Sequence, residues 1–170
     1  MDWDYQTLKV LLTSLDQIYK IHIRPHFDYC DMIYNRPIIN NDFSSSLSLN
    51  HLMKTLEKTQ YEVALAITGT WKGTNTDKLY EELGWESLHQ RRVFRRLTMF
   101  YKIYNNLTPT YLKTPLVESN CTYSLRSTRT LTPIPCKTNK YKNSFYPDVV
   151  DLWNKLDRSV SNSPTLSMFK

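Results

Sequence analysis

Apolar positions along this chain recur mostly at helical spacing. Leu8, Leu11, Leu12, Leu15, Ile18 and Tyr19 repeat at i, i+3, i+4 and i+7, which is the stripe of an amphipathic helix. Pro25 interrupts it, so residues 24–34 are either a kinked continuation or a second helix with proline near its start. Residues 35–48, with Pro37, Asp42 and a serine run, read as a loop. A further stripe follows in Leu49, Leu52, Met53, Leu56, Val63, Ala64 and Ile67, and Gly69 stands where a helix C-cap belongs. The stretch 74–77 offers a capped start for a short helix through Leu79, Tyr80 and Leu83, stopped by Gly84. Ser87 and Gln90 form a capping box that opens a longer helix from Leu88 to about Asn105. On it Val93, Leu97, Phe100, Tyr101 and Tyr104 share one arc, and Arg91, Arg92, Arg95, Arg96 and Lys102 the opposite one.

Beyond Pro109 the periodicity fades. Prolines 109, 115, 133, 135 and 147 and many hydroxyl residues mark an irregular region, where the alternation from Tyr123 to Arg126 permits an extended segment. Pro147 begins a clear helix through Val149, Val150, Trp153 and Leu156. Ser163-Pro164 looks like another helix start, and the chain stops soon after it. A helix begun and abandoned suggests that the reading frame ends before the domain does, and that Leu166, Met168 and Phe169 are left frayed. The expected fold is mainly α: a compact set of amphipathic helices in residues 1–105. An irregular basic tail in residues 106–170 follows, with a helix at about 147–157 packed on the first part.

Charge adds a direction to this picture. Residues 1–85 carry eight Lys and Arg against eleven Asp and Glu, and residues 86–170 carry fourteen against five. Between Arg91 and Lys142 eleven basic residues face one acid, Glu118. Like charges in one region repel, and a polyanion such as a nucleic-acid backbone converts that cost into binding through counterion release. The arc on the long helix has no acid at helical spacing, and Arg126, Arg129, Lys137, Lys140 and Lys142 continue it. Arginine forks match phosphate oxygens, and interleaved hydroxyls add neutral contacts. The alternative is an ordinary solvated helix face. Tyr101, Tyr104, Tyr123 and Tyr141 are candidates for stacking on bases, the first two fitting the core better.

Other chemistries find little support. His22, His26 and Cys30 at i, i+4 and i+8 would stack a zinc face on an unbroken helix, but Pro25 falls between them and a fourth ligand is missing. Core or capping roles remain for them, with Cys30 beside Tyr29 a small buried hydrophobe. Cys121 and Cys136 lack zinc-knuckle spacing, and three cysteines make no disulfide framework, which fits a reducing compartment. The acidic start Met1-Asp2-Trp3-Asp4 is unlike a signal peptide, and no apolar run reaches transmembrane length. The expected setting is intracellular, cytoplasmic or nuclear, without a membrane partner, so the sequons at Asn106 and Asn120 are chance matches.

A series of short tags carries a resemblance. Ile18-Tyr19-Lys20 and Ile23-Arg24-Pro25-His26-Phe27-Asp28-Tyr29-Cys30-Asp31-Met32-Ile33-Tyr34 come first, then Leu56-Glu57-Lys58-Thr59-Gln60 and Ile67-Thr68-Gly69. Leu79 to Leu88, Arg91-Arg92, Phe100-Tyr101-Lys102-Ile103 and Pro109-Thr110-Tyr111-Leu112 follow. Leu125-Arg126, Tyr141 to Pro147, Trp153-Asn154-Lys155-Leu156 and Phe169-Lys170 complete the set. In order and spacing they resemble the region just after the polymerase domain of jockey-type non-LTR retrotransposon reverse transcriptases. The resemblance implies a thumb or post-polymerase position, a missing polymerase palm as intramolecular partner, and Mg²⁺ for the parent polymerase. Two-metal nucleotidyl transfer needs clustered aspartates, and this chain has no Asp-Asp pair. Asp28 and Asp31 lie a turn apart on a segment that the family places outside the active site.

The expected function is therefore non-catalytic: gripping RNA or an RNA–DNA duplex by its backbone beside the palm, with no cofactor in this fragment and no enzymatic activity in isolation. The alternatives are a structural scaffold packing on missing polymerase sequence, or a decayed element copy without activity.

Overall fold

The computed structural model describes residues 5–34, 47–118 and 131–169. The helices among them are α1 (Tyr5–Ile18), α2 (Arg24–Asp28), α3 (Asp31–Tyr34), α4 (Leu47–Thr68), α5 (Thr76–Leu83) and α6 (Leu88–Tyr104). They continue with α7 (Asn139–Lys142), α8 (Phe145–Lys155), α9 (Arg158–Ser161) and α10 (Leu166–Phe169). A π-helical turn, Tyr19–Ile23, follows α1, and a 3₁₀ turn covers Thr110–Leu112. The described residues form no strand, and Glu118 and Leu131 meet in an isolated antiparallel bridge. The fold is mainly α. The extended segment expected around residues 123–126 lies outside the described residues. Among the described residues no helix is long and apolar enough to cross a membrane.

The described residues divide into two compact units. One holds residues 5–31 and 47–92, the other residues 32–34, 93–118 and 131–169. The boundary lies inside α6, earlier than the division at residue 105 that the composition suggests. The reason is packing: Phe100 and Tyr101 on α6 belong to the core built by α8 and α10. Nor is the proline-rich end merely irregular, since α7, α9 and α10 accompany the expected helix, which runs as α8.

In the first unit the core is Tyr19, Ala64, Leu65, Ile67, Leu79, Tyr80 and Trp85. The Tyr19 ring stacks on Trp85 at 4.1 Å, a geometry worth about 0.5–1.5 kcal/mol beyond the buried area. Polar handles fix the pair. Trp85 Nε1 donates to Asp16 at 2.7 Å, and the Tyr19 hydroxyl donates to Gln60 Oε1 at 3.0 Å. Gln60 Nε2 in turn donates to the Glu86 carbonyl. The aliphatic part of the predicted stripe does not supply the core: Leu11, Leu12, Leu15 and Ile18 stay exposed. The helix is held instead through Asp16 and through Tyr19, the last member of that stripe, which does reach the core.

The predicted punctuation holds. Gly69 ends α4 in the left-handed region, Asn75 caps α5 by accepting from the Asp77 N–H at 2.8 Å, and Gly84 stops it. Ser87 and Gln90 make the reciprocal capping box at the start of α6. A distant residue adds to that cap, because Glu57 on α4 accepts from the Leu88 N–H at 3.2 Å.

In the second unit Trp153 on α8 lies at the centre, 5.0 Å from the Phe100 ring and 5.6 Å from the Tyr104 ring. Asn154 binds both backbone groups of Leu131, which is itself buried. The end of the chain is not frayed as the sequence suggests. Phe169 is 7% exposed and stacks on Tyr101 at 4.6 Å, and Tyr101 also donates its hydroxyl to the Ser163 carbonyl. Tertiary contacts of the aromatic rings do for α10 what its length cannot. Met168 alone of the three terminal apolar residues is exposed.

Candidate nucleic-acid interface

The arginines of α6 depart most from the sequence reading. Leu88, Arg92, Arg96 and Phe100 recur every fourth residue, one row on the helix surface, and each is at most 3% exposed. The inward face of α6 is thus rotated from the apolar arc, and two of the arginines expected to face phosphates lie on it. Val93 and Leu97 are only half-buried.

The two buried guanidinium groups are held differently. Arg96 Nη1 donates to Asp148 Oδ2 on α8 at 2.6 Å, and the same guanidinium lies over the Phe145 ring at 5.8 Å. Burial pushes the Asp148 carboxyl above its usual range, and the Arg96 charge offsets that only in part. Arg92 Nη1 meets the Met53 sulfur at 2.9 Å, while its Nε and Nη2 have no hydrogen-bond partner among the described residues. Burial likewise raises the Glu57 carboxyl, against the Leu88 N–H and the positive charge of Arg92. Arg91 donates to Asp28 Oδ2 on α2 at 2.5 Å. The arc does lack acids at helical spacing, but acids far away in the sequence answer it.

The remaining basic residues separate. Arg95 and Lys102 are half-buried. Arg126 and Arg129 lie outside the described residues. Lys137, Lys140 and Lys142 are exposed around α7, and none of them forms an ion pair with a described residue. Tyr141 stands among them with 47% of its surface exposed. Thr138 caps the short helix by accepting from the Tyr141 N–H at 3.3 Å, so the lysines sit on an ordered turn. Tyr101 and Tyr104, in contrast, pack in the core of the second unit, and Tyr123 lies outside the described residues.

Two concave features occur in the first unit. A cavity of about 230 Å³ is lined by Tyr19, Arg24, Gln60, Trp85, Glu86 and Arg91. Arg24 and Arg91 line it together with Tyr19, and Arg91 is held there by Asp28. A shallower groove of about 480 Å³ is lined by Glu57, Asp77 and Glu81 along with Tyr80, whose hydroxyl burial pushes up to about 12. Its carboxylates repel a phosphate backbone.

The metal candidates do not converge. His22, His26 and Cys30 are all exposed, where core or capping roles were expected. Cys30 sits at φ +53° in the turn between α2 and α3, which holds it and Tyr29 out of the core. Among the described residues no three His, Cys, Asp or Glu side chains gather closely enough to hold a metal ion. Asp28 is engaged by Arg91, and Asp31 is buried.

One residue that the charge argument passes over is Trp71, 89% exposed next to Lys72. The signal was present in the sequence, since two of the three glycines of the chain, Gly69 and Gly73, bracket it. No model of a known protein family matches this chain, and no curated protein or solved structure matches it either.

Proposed function

We propose that this chain is the non-catalytic, post-palm part of a jockey-type retrotransposon reverse transcriptase, and that it holds RNA or an RNA–DNA duplex by the backbone. The collinear sequence tags support the placement. The observation that carries the binding reading is the exposed turn at α7, where Lys137, Lys140 and Lys142 surround Tyr141 without ion-pair partners among the described residues. Exposed lysines outside ion pairs bind phosphates as point charges and release counterions in doing so, which gives sequence-independent, salt-sensitive affinity. The arginines of α6 act differently in this reading. Arg92 and Arg96 are buried inside the fold and do not present their charge to a phosphate, and Arg91 is committed to Asp28.

The test is a titration of an RNA–DNA duplex at several salt concentrations with K137Q/K140Q/K142Q. The variant should stay folded and lose affinity uniformly across sequences. The slope of log K against log salt should shrink by nearly one unit for each lysine that no longer meets a phosphate. An unchanged slope would transfer the function to a second reading, a scaffold that packs on missing polymerase sequence. The exposed apolar face of α1, with Val10, Leu11, Leu15 and Ile18, favours that alternative.

A further inference from the structure

The loop between α4 and α5 is built to hold a tryptophan in solvent. Hydrogen bonds brace it along its length. The Gly69 N–H donates to the Leu65 carbonyl at 2.9 Å, and the Thr68 and Thr70 hydroxyls bond at 2.9 Å. The Thr74 N–H and hydroxyl both donate to the Trp71 carbonyl, at 3.2 and 2.8 Å. The Tyr61 hydroxyl on α4 pins the far side, accepting from the Gly73 N–H at 3.1 Å and donating to the Thr74 carbonyl at 3.0 Å. Gly69 at φ +68° and Gly73 at φ +105° take conformations that side chains rarely tolerate, so other residues would form this loop only with strain. An ordered loop with this many constraints could fold Trp71 inward. It leaves the ring 89% exposed instead.

The surroundings of the ring point to the kind of ligand. Between Thr68 and Thr76 the loop carries Lys72 and no acid, and apart from Trp71 it has no apolar side chain. Lys72 is exposed and forms no ion pair with a described residue. A protein anchor normally sits within a dry apolar patch that excludes water around it. Along this loop the chain neighbours of the ring are glycines, hydroxyl residues, Asn75 and one cation. A flat π-face with a neighbouring positive charge suits a planar base attached to an anionic backbone.

We infer that Trp71 is a stacking platform for an unpaired nucleobase, with Lys72 contacting the adjoining phosphate. The inference rests on the proposed nucleic-acid function but uses a different surface from α7 and a different form of the ligand. The probe is a single-stranded oligouridylate of about a dozen nucleotides, a length within the usual range of single-strand sites. Inorganic polyphosphate serves as the anion that has no bases. In wild type, oligouridylate should quench the tryptophan emission that W71F removes, and polyphosphate should not. W71A should weaken oligouridylate binding by roughly 5- to 150-fold with the salt slope unchanged, because stacking releases no counterion. K72Q should lower the slope by about 0.7, one single-strand phosphate. W71F should bind between W71A and wild type.

The outcomes separate the two readings. If wild type binds duplex but W71A matches it on oligouridylate, the stacking inference falls and the backbone reading stands. If wild type binds neither duplex nor single strand, both fall. If polyphosphate quenches Trp71 equally, the ring reports charge and not stacking, and the inference is overturned. It is overturned as well if Trp71 emission changes only with the concentration of the protein itself, which would make the loop a self-association anchor.

Discussion

Removing the Asp148 carboxylate tests whether the buried arginine opposite it on α6 is structural. Arg96 and Asp148 have side chains only 3% and 6% exposed, and their polar atoms lie 2.6 Å apart. The pair itself contributes little net stability, because desolvating two charges offsets most of their attraction. Losing one partner is another matter. Asp148→Ala removes the carboxylate that Arg96 Nη1 meets, and breaking a buried pair in this way costs about 3–5 kcal/mol. Urea unfolding followed by circular dichroism measures it. With a slope of about 1–3 kcal/mol per molar for a protein of this size, the midpoint should fall by about one molar or more. Arg96→Leu combined with Asp148→Leu removes both charges, so the double variant should be more stable than Asp148→Ala alone. A D148A midpoint within a few tenths of a molar of wild type would refute the structural role, because Arg96 would then have solvent or another acceptor within easy reach. It would also return Arg96 to the set of residues able to meet a phosphate.

Two further outcomes follow from the same packing. Glu57 has its carboxyl raised by burial, so its folded state holds the proton more tightly than the unfolded chain does. Its contribution to stability is therefore full below the ordinary value of 4.5 and is lost as the pH rises through the folded value. Glu57→Gln should gain on wild type between about pH 4 and pH 7 in urea midpoints, and a gap moving the other way would mean that the carboxyl is not raised. Phe169→Ala removes a ring buried against Tyr101 and Trp153, which should cost about 3–5 kcal/mol and abolish hydrogen-exchange protection in α10. Equal protection in the variant and wild type would mean that the terminal helix does not depend on that ring.

The longer helices and their stops were legible in the sequence because they depend on neighbours within four residues, while the short α7 and α9 were not. The capping box at Ser87 and the Gly69 and Gly84 stops are local chemistry and are found where the pattern places them, while α8 begins at Phe145, two residues ahead of Pro147. Which face of each helix would be buried was not local. On α6 the arc of Val93, Leu97, Phe100, Tyr101 and Tyr104 is the most apolar, yet the inward row runs through Leu88, Arg92, Arg96 and Phe100. Arg96 becomes tolerable when Asp148, far away in sequence, arrives opposite it, and Arg92 is buried within reach of the Glu57 charge on α4. Periodicity counts apolar residues and cannot count such partners. The same gap explains α1, whose leucine row is exposed while Asp16 and Tyr19 hold the helix, and α10, whose stability comes from Tyr101 and Trp153. Sequence alone determined that the chain is a set of helices with a basic second half. The tertiary structure decided which of those charges are taken inside it and which remain outside, because a charge is buried only where a distant group offsets its lost hydration.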